Sequence, residues 1–272
     1  MKRILVPTDF SDAADRARDY AVNMARLLNA EIFLMHTYHV PNTGATMVAN
    51  ISDLAKESSE AEMKKQIEYL KLNFSDVDVK AKCILGLFVD TVKTVVEEDA
   101  IDLIIMGTTG ATGIVENFLG SNTSALIGSV KTPIITVPNN TVINMPKKIV
   151  VANDLKETGD DEVFNTLKQI AGNTKASIDF LFISDEEEKT NNKIKRLKAA
   201  RFDEEFDAAY HPFHFRTSDN TEDGILDYLE KKDFDLLVVV CRQRSFWQRL
   251  WERSISKSLV KYAEIPILVL VD

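Results

Sequence analysis

Glycine is scarce in this chain: ten residues of 272, about half of what the usual share of about 7% would supply. That excludes fibrous, linker-rich and low-complexity readings, and the seven prolines point the same way. Only two cysteines are present, Cys83 and Cys241, far apart in the chain. Two isolated thiols make neither a disulfide framework nor a paired metal site. A basic excess is lacking too. Lys and Arg number 33 against 42 Asp and Glu, a net charge of -9 and a pI near 5.1, so general nucleic-acid binding is excluded. Long apolar runs are missing as well. Ile4-Leu5-Val6 is too short for a signal-peptide core, and the longest uncharged apolar stretch, Leu236 to Cys241, falls far below the roughly 20 residues of a membrane helix. The expectation is a cytoplasmic protein that does not span a membrane.

What is present is one pattern written twice. Lys2-Arg3-Ile4-Leu5-Val6-Pro7-Thr8-Asp9 resembles Lys147-Lys148-Ile149-Val150-Val151-Ala152-Asn153-Asp154, an offset of 145. Ala30 to Met35 resembles Ala176 to Leu181 at 146, and Ile101 to Met106 resembles Phe234 to Val239 at 133. That last offset then holds to Thr132-Pro133-Ile134-Ile135 against Ile265-Pro266-Ile267-Leu268. Matching blocks in order mean a tandem duplication, the second copy having lost a net 12 residues in its middle.

Within each copy, short β-branched runs alternate with helical periodicity. The first copy predicts strands near residues 2–7, 30–36, 77–84, 101–106 and 133–137. Between the first two, Ala13, Ala17, Tyr20, Ala21, Met24, Ala25 and Leu28 recur at three-to-four spacing, and Ser11 is placed to cap that helix. Val163, Leu167, Ile170 and Ala171 repeat the pattern in the second copy. Continuous apolar strands suit a parallel sheet covered by helices on both faces. The expected architecture is α/β: two tandem doubly wound, Rossmann-like domains of five mostly parallel strands each, spanning 1–140 and 146–272. Residues 140–146 form the junction. An irregular surface loop is expected from Pro41 to about Asp53, and the charged stretch Asp53 to Lys71 reads as a solvated helix face.

Where the glycines fall carries the chemistry. Five of the ten lie between Gly107 and Gly128, four of them as Gly107-x2-Gly110-x2-Gly113-x6-Gly120, followed by Ser121. The run begins where the fourth strand ends, and Ser121 opens a helix reaching about Gly128. Open parallel sheets bind ligands just beyond the carboxyl ends of their strands. Glycines there let the main chain approach a phosphate, and the free N–H groups of a helix start favour anions. Asp9 ends the first strand on the same edge. It suits a ribose or base edge, or a divalent cation offsetting phosphate charge, or a plain turn or cap. No P-loop lysine follows the glycines.

These residues resemble the universal stress protein family: Gly107-x2-Gly110-x9-Gly120-Ser121 after a strand, Thr132-Pro133-Ile134-Ile135-Thr136-Val137 closing it, and Ile4 to Ser11 and Leu34-Met35-His36 at its start and second strand. The resemblance covers both copies. It implies binding of ATP or a related adenine nucleotide, with Mg2+ or Mn2+. Gly110, Gly120, Ser121 and Asn122 lie on the phosphate side, Pro7, Thr8 and Asp9 on the nucleoside side, Gly107 at the ribose and Thr37 at the adenine. Asp9 is the residue to reach the nucleotide's metal. The family often pairs domains through the last strand, which makes Ile134–Pro138 and Ile267–Val271 the edges of an intrachain pseudo-dimer and leaves a homodimer open. Slow ATP hydrolysis or self-phosphorylation near Ser121 is compatible with it, yet no Ser–His–Asp, paired-carboxylate or Cys–His pattern demands turnover.

The second copy has lost the glycines. Gly107 becomes Val240, Gly110 becomes Gln243, Gly113 becomes Phe246 and Gly120 becomes Arg253, while Ser254 and Asp154 persist at the positions of Ser121 and Asp9. No equivalent nucleotide site is expected there. Both tryptophans sit instead in Arg242 to Arg253, with four arginines interleaved. That run is either an amphipathic turn with solvated arginines or a patch for a protein partner, an anionic ligand or a membrane surface. Two H-x2-H pairs, His36 with His39 and His211 with His214, fit ordinary positions in or near extended segments. Three functional readings stand: a nucleotide-responsive stress or signalling protein, an interaction scaffold using the Arg/Trp run, and a slow ATP hydrolase.

Overall fold

A computed structural model of the chain describes residues 1–39, 45–108, 121–153, 161–184, 211–218, 221–230, 232–241 and 265–271. The chain divides into two compact units, Met1–Asn139 and Asn140–Asp272.

In the first unit the elements run β1 (Arg3–Pro7), α1 (Asp12–Leu28), β2 (Glu31–Tyr38), α2 (Ala45–Asn73), β3 (Val79–Leu85), α3 (Phe88–Glu98), β4 (Leu103–Gly107), α4 (Ser121–Leu126) and β5 (Ile134–Val137). All neighbouring strands pair in parallel, in the order β3-β2-β1-β4-β5. Parallel neighbours need a crossover, and right-handed crossovers put α1 and α2 on one face and α3 and α4 on the other. Both faces of the central strands are therefore covered, and Ile4, Leu5, Val6, Leu103, Ile104 and Ile105 are all fully buried. This accounts for continuous apolar runs where an exposed sheet would alternate.

Helix α1 shows why the spacing folds this way. Its apolar positions at three-to-four intervals, Ala13, Ala17, Tyr20, Ala21, Met24, Ala25 and Leu28, are buried. Ser11 Oγ accepts a hydrogen bond from the Ala14 amide at 3.3 Å, and Asp12 and Asp15 complement the helix dipole in the first turn. Asn29 closes the helix in the left-handed region at φ 50°, its amide donating to the Ala25 carbonyl.

Helix α2 corrects one expectation. The stretch from Ala45 to Asp53, expected as loop, is already helical. No glycine or proline occurs between Ala45 and Asn73, so nothing interrupts the i to i−4 ladder once Gly44 is passed. The charged face beyond Asp53 is solvated, while Met63 and Leu70 are buried. One buried cation fastens α2 to α1: Arg18 donates to Asp15, Asp19 and Gln66, and its guanidinium lies 4.1 Å from the Tyr69 ring centroid.

The second unit repeats the plan with β6 (Lys148–Asn153), a 3-10 turn (Asp161–Phe164), α5 (Asn165–Thr174), β7 (Ser177–Ser184), β8 (Phe213–Thr217), α6 (Thr221–Leu229), β9 (Leu236–Cys241) and β10 (Ile267–Val271). Its strands are again parallel, in the order β8-β7-β6-β9-β10. The 12-residue shortfall is located here. Residues 39–78 join the second and third strands of the first copy, and 185–212 join those of the second.

Candidate functional site

In the first unit β1 has β2 on one side and β4 on the other, so the crossovers leave in opposite directions from the gap between β1 and β4. Outside the carboxyl ends of such strands the loops diverge and a crevice opens. A cleft lies at this point. Pro7, Thr8 and Asp9 line it from the end of β1, Met35, His36 and Thr37 from β2, and Met106 and Gly107 from β4. Ser121, Asn122 and Thr123 close it from α4, with Ala14 of α1 and Phe88 of α3 completing the wall.

Of the nine residues the sequence singles out for a nucleotide, Pro7, Thr8, Asp9, Thr37, Gly107, Ser121 and Asn122 thus share one cleft. Gly110 and Gly120 lie outside the described residues, as do Gly113, Asp154, Ser254 and the whole run from Arg242 to Arg253. Ala14, Met35, His36, Phe88, Met106 and Thr123 are in the wall beyond those expected. For Met35, His36, Met106 and Thr123 a signal exists, since each lies within two residues of an expected contact.

The end of β1 is held in detail. The Thr8 amide donates to the Met35 carbonyl at 2.8 Å, continuing the β1–β2 ladder one residue past the strand. Thr8 Oγ1 then accepts from the Phe10 amide at 3.0 Å, and Asp9 Oδ1 accepts from the Ser11 amide at 3.1 Å and from Ser11 Oγ at 2.5 Å. One Asp9 oxygen therefore serves the turn into α1, while its side chain stays exposed at the cleft. Phe10 sits in the left-handed region at φ 62°, a costly conformation for a bulky residue.

Gly107 has a reason of its own. A Cβ at this position would lie 2.8 Å from the Ala13 carbonyl oxygen and 2.9 Å from its carbon. The absent side chain lets the first turn of α1 press directly on the end of β4, beside the cleft. Thr123 Oγ1 donates to the Gly107 carbonyl at 2.9 Å, tying the start of α4 to the same spot. In the second unit this strand position is Val240, paired with Leu270, and the position of His36 is Phe182, fully buried.

A parallel sheet of this order with a crevice between its first and fourth strands defines a doubly wound, Rossmann-like α/β protein. A model of the universal stress protein family matches residues 1–138 and again residues 145–270. The chain belongs to that family, with two of its domains in tandem. Universal stress protein MJ0531 of Methanocaldococcus jannaschii is 30% identical over 151 residues, covering 54% of this chain and 84% of the relative. Universal stress protein MJ0577 of the same organism is 28% identical over 152 residues, covering 50% of this chain and 94% of the relative. The whole chain superimposes on a universal stress protein from Archaeoglobus fulgidus with a TM-score of 0.74, covering 99% and 98% of the two chains at 16% identity. At that identity the likeness is one of fold. Among the described residues, no helix is long and apolar enough to cross a membrane.

Proposed function

We propose that the first domain binds an adenine nucleotide, ATP with Mg2+ or Mn2+, and that the chain works in the cytoplasm as a nucleotide-responsive stress or signalling protein. The observation that carries this reading is the convergence of Pro7–Asp9, Thr37, Gly107 and Ser121–Asn122 on one cleft at the strand-order reversal, from segments far apart in sequence. The residues present fit the group. Thr8, Ser121 and Asn122 supply uncharged hydrogen-bonding side chains, and Asp9 supplies an exposed carboxylate for ribose or metal. When bound, the metal would offset phosphate charge, which the chain itself does not neutralise with a lysine in the glycine run. Gly110 and Gly120 are the positions where the main chain is expected to approach the phosphates most closely.

Isothermal titration tests this. One ATP per chain is expected with magnesium or manganese present, with binding lost in Gly110→Trp or Gly120→Trp. Absence of binding with either metal overturns the reading.

A further inference from the structure

Among the described residues of the cleft wall His36 is the one imidazole, and neither the strand pattern nor the nucleotide reading gives it a task. Its Nδ1 lies 2.8 Å from the Thr8 carbonyl oxygen. A carbonyl only accepts, so Nδ1 carries the proton and donates. Its ring also packs on Phe10, with centroids 4.4 Å apart and planes inclined by 31°. Both contacts fall on the same short turn. Thr8 is the last residue held by the β1–β2 ladder, and Phe10 is the residue forced into the left-handed region. Between them lies Asp9, whose carboxylate faces the cleft's edge while one oxygen holds Ser11.

We propose that His36 is the positioning residue of this cleft: its Nδ1–H holds the Thr8–Phe10 turn in the conformation that presents Thr8 and Asp9 to a ligand. The duplication supplies an independent comparison. The copy that keeps the glycine run keeps His36, and the copy with Val240 in place of Gly107 has Phe182 there, whose phenyl ring stacks on Phe180, Phe213 and Phe215 and carries no hydrogen-bond donor. Phenylalanine is thus compatible with this strand position, while the hydrogen bond belongs only to the glycine-bearing copy.

The effect on affinity rests on the nucleotide reading above, so the test has two arms on the full chain. In the first, ring-nitrogen NMR of the ligand-free protein reads the tautomer, and main-chain shifts of Thr8 to Ser11 are followed in His36→Phe and His36→Asn. Asparagine can place its amide nitrogen where Nδ1 stands, whereas phenylalanine keeps the ring and loses the donor. The proton is expected on Nδ1, with the turn shifts preserved in H36N and displaced in H36F. In the second arm, titration with ATP and magnesium is expected to show affinity falling about tenfold or more in H36F and staying within about threefold in H36N. A proton on Nε2 with Nδ1 bare, unchanged turn shifts and affinity in H36F, or an H36N variant as impaired as H36F would each overturn the proposal. If the wild-type chain takes up no ATP, the nucleotide reading fails by itself, and the first arm alone decides whether His36 holds the turn.

Discussion

In the first domain Asp102 Oδ2 accepts from the main-chain amides of Lys2 and Arg3, at 2.6 and 3.0 Å, and in the second Asp235 Oδ2 accepts from those of Lys147 and Lys148, at 2.8 and 2.9 Å. Both aspartates return their own amide to the same strand, onto the Arg3 and Lys148 carbonyls. Asn29 and Lys175 likewise end the first helix of each copy in the left-handed region, at φ 50° and 53°. These repeats lie where each first strand begins and its helix ends. There the chain must pair backbone groups at the start of a parallel sheet whatever the domain does. The opposite ends of the strands diverge: Gly107 against Val240, His36 against Phe182. What the fold requires has been kept twice, while the glycine and the imidazole at the cleft end have been kept once.

A sharper difference lies within the helices. Arg18 and Phe164 occupy matching positions, and both are buried. In the first domain the cation is received by Asp15, Asp19, Gln66 and the Tyr69 ring; in the second the same place is apolar. Placing methionine at both positions separates the two solutions. Arg18→Met removes the buried cation of a network whose carboxylates are partly solvated, and is expected to cost about 2–4 kcal/mol. Phe164→Met exchanges one apolar side chain for another and is expected to cost under about 1.5 kcal/mol. Domain-resolved hydrogen exchange in denaturant reads each half by itself. Equal losses would mean that the network around Arg18 adds nothing beyond its packing.

The next comparison to break is at the end of the fourth strand. Gly107→Val writes the second copy's residue into the first. Its Cβ would meet the Ala13 main chain at 2.8 Å, so α1 must shift at its first turn. The expected cost is about 1–3 kcal/mol, together with loss of the ATP binding proposed above, because Thr8 to Ser11 lead directly into that turn. If the variant keeps both its stability and its affinity, close approach of α1 is not why glycine stands there.

The sheet was legible before the structure because parallel strands buried on both faces must read as apolar runs, and Ile4-Leu5-Val6 and Leu103-Ile104-Ile105 do. The duplication and its shortened segment were legible from the offsets alone. The cleft was readable in part, since Pro7–Asp9, Gly107 and Ser121–Asn122 all fall at strand or helix ends. The rest depends on register. His36 and Thr8 are far apart in sequence and meet only because Pro7 pairs with Met35. Gly107 looks like a phosphate-loop glycine, and its clash with Ala13 follows from how α1 packs on β4, which no local pattern encodes. The start of α2 was misplaced because Pro41, Asn42 and Gly44 punctuate the chain strongly, and the punctuation ends sooner than the loop read from it.

The smallest expected effect concerns a polar cluster on the second sheet. Two donors and a ring nitrogen converge on Asp179 Oδ2: Tyr228 Oη donates at 2.8 Å and Lys232 Nζ at 2.7 Å, and His214 Nε2 lies 3.2 Å away. Burial pushes the Tyr228 hydroxyl up to about 12, so it remains a donor. Burial, with the charges of Lys232 and Arg216, holds His214 below its ordinary value of 6.5, against the pull of Asp179. Burial alone would raise Asp179, but the hydrogen bonds from Lys232 and Tyr228 and the nearby charges bring it below its ordinary 3.8. A histidine held low takes up its proton less readily folded than unfolded. Its contribution to stability is therefore complete above about pH 6.5 and drains as the pH falls through the folded value, while that of Asp179 drains only below the carboxylate range. In the first sheet Lys82 pairs with Met35 as His214 pairs with Leu181, and Phe33 stands where Asp179 does, so no imidazole occupies the matching place. Between pH 7 and 5 the second domain should lose more exchange protection than its counterpart, after correction for intrinsic rates. With His214 a quarter exposed, the difference should stay under about 1 kcal/mol. His214→Gln should abolish that difference, and a slope that persists in the variant would place its origin elsewhere in the domain.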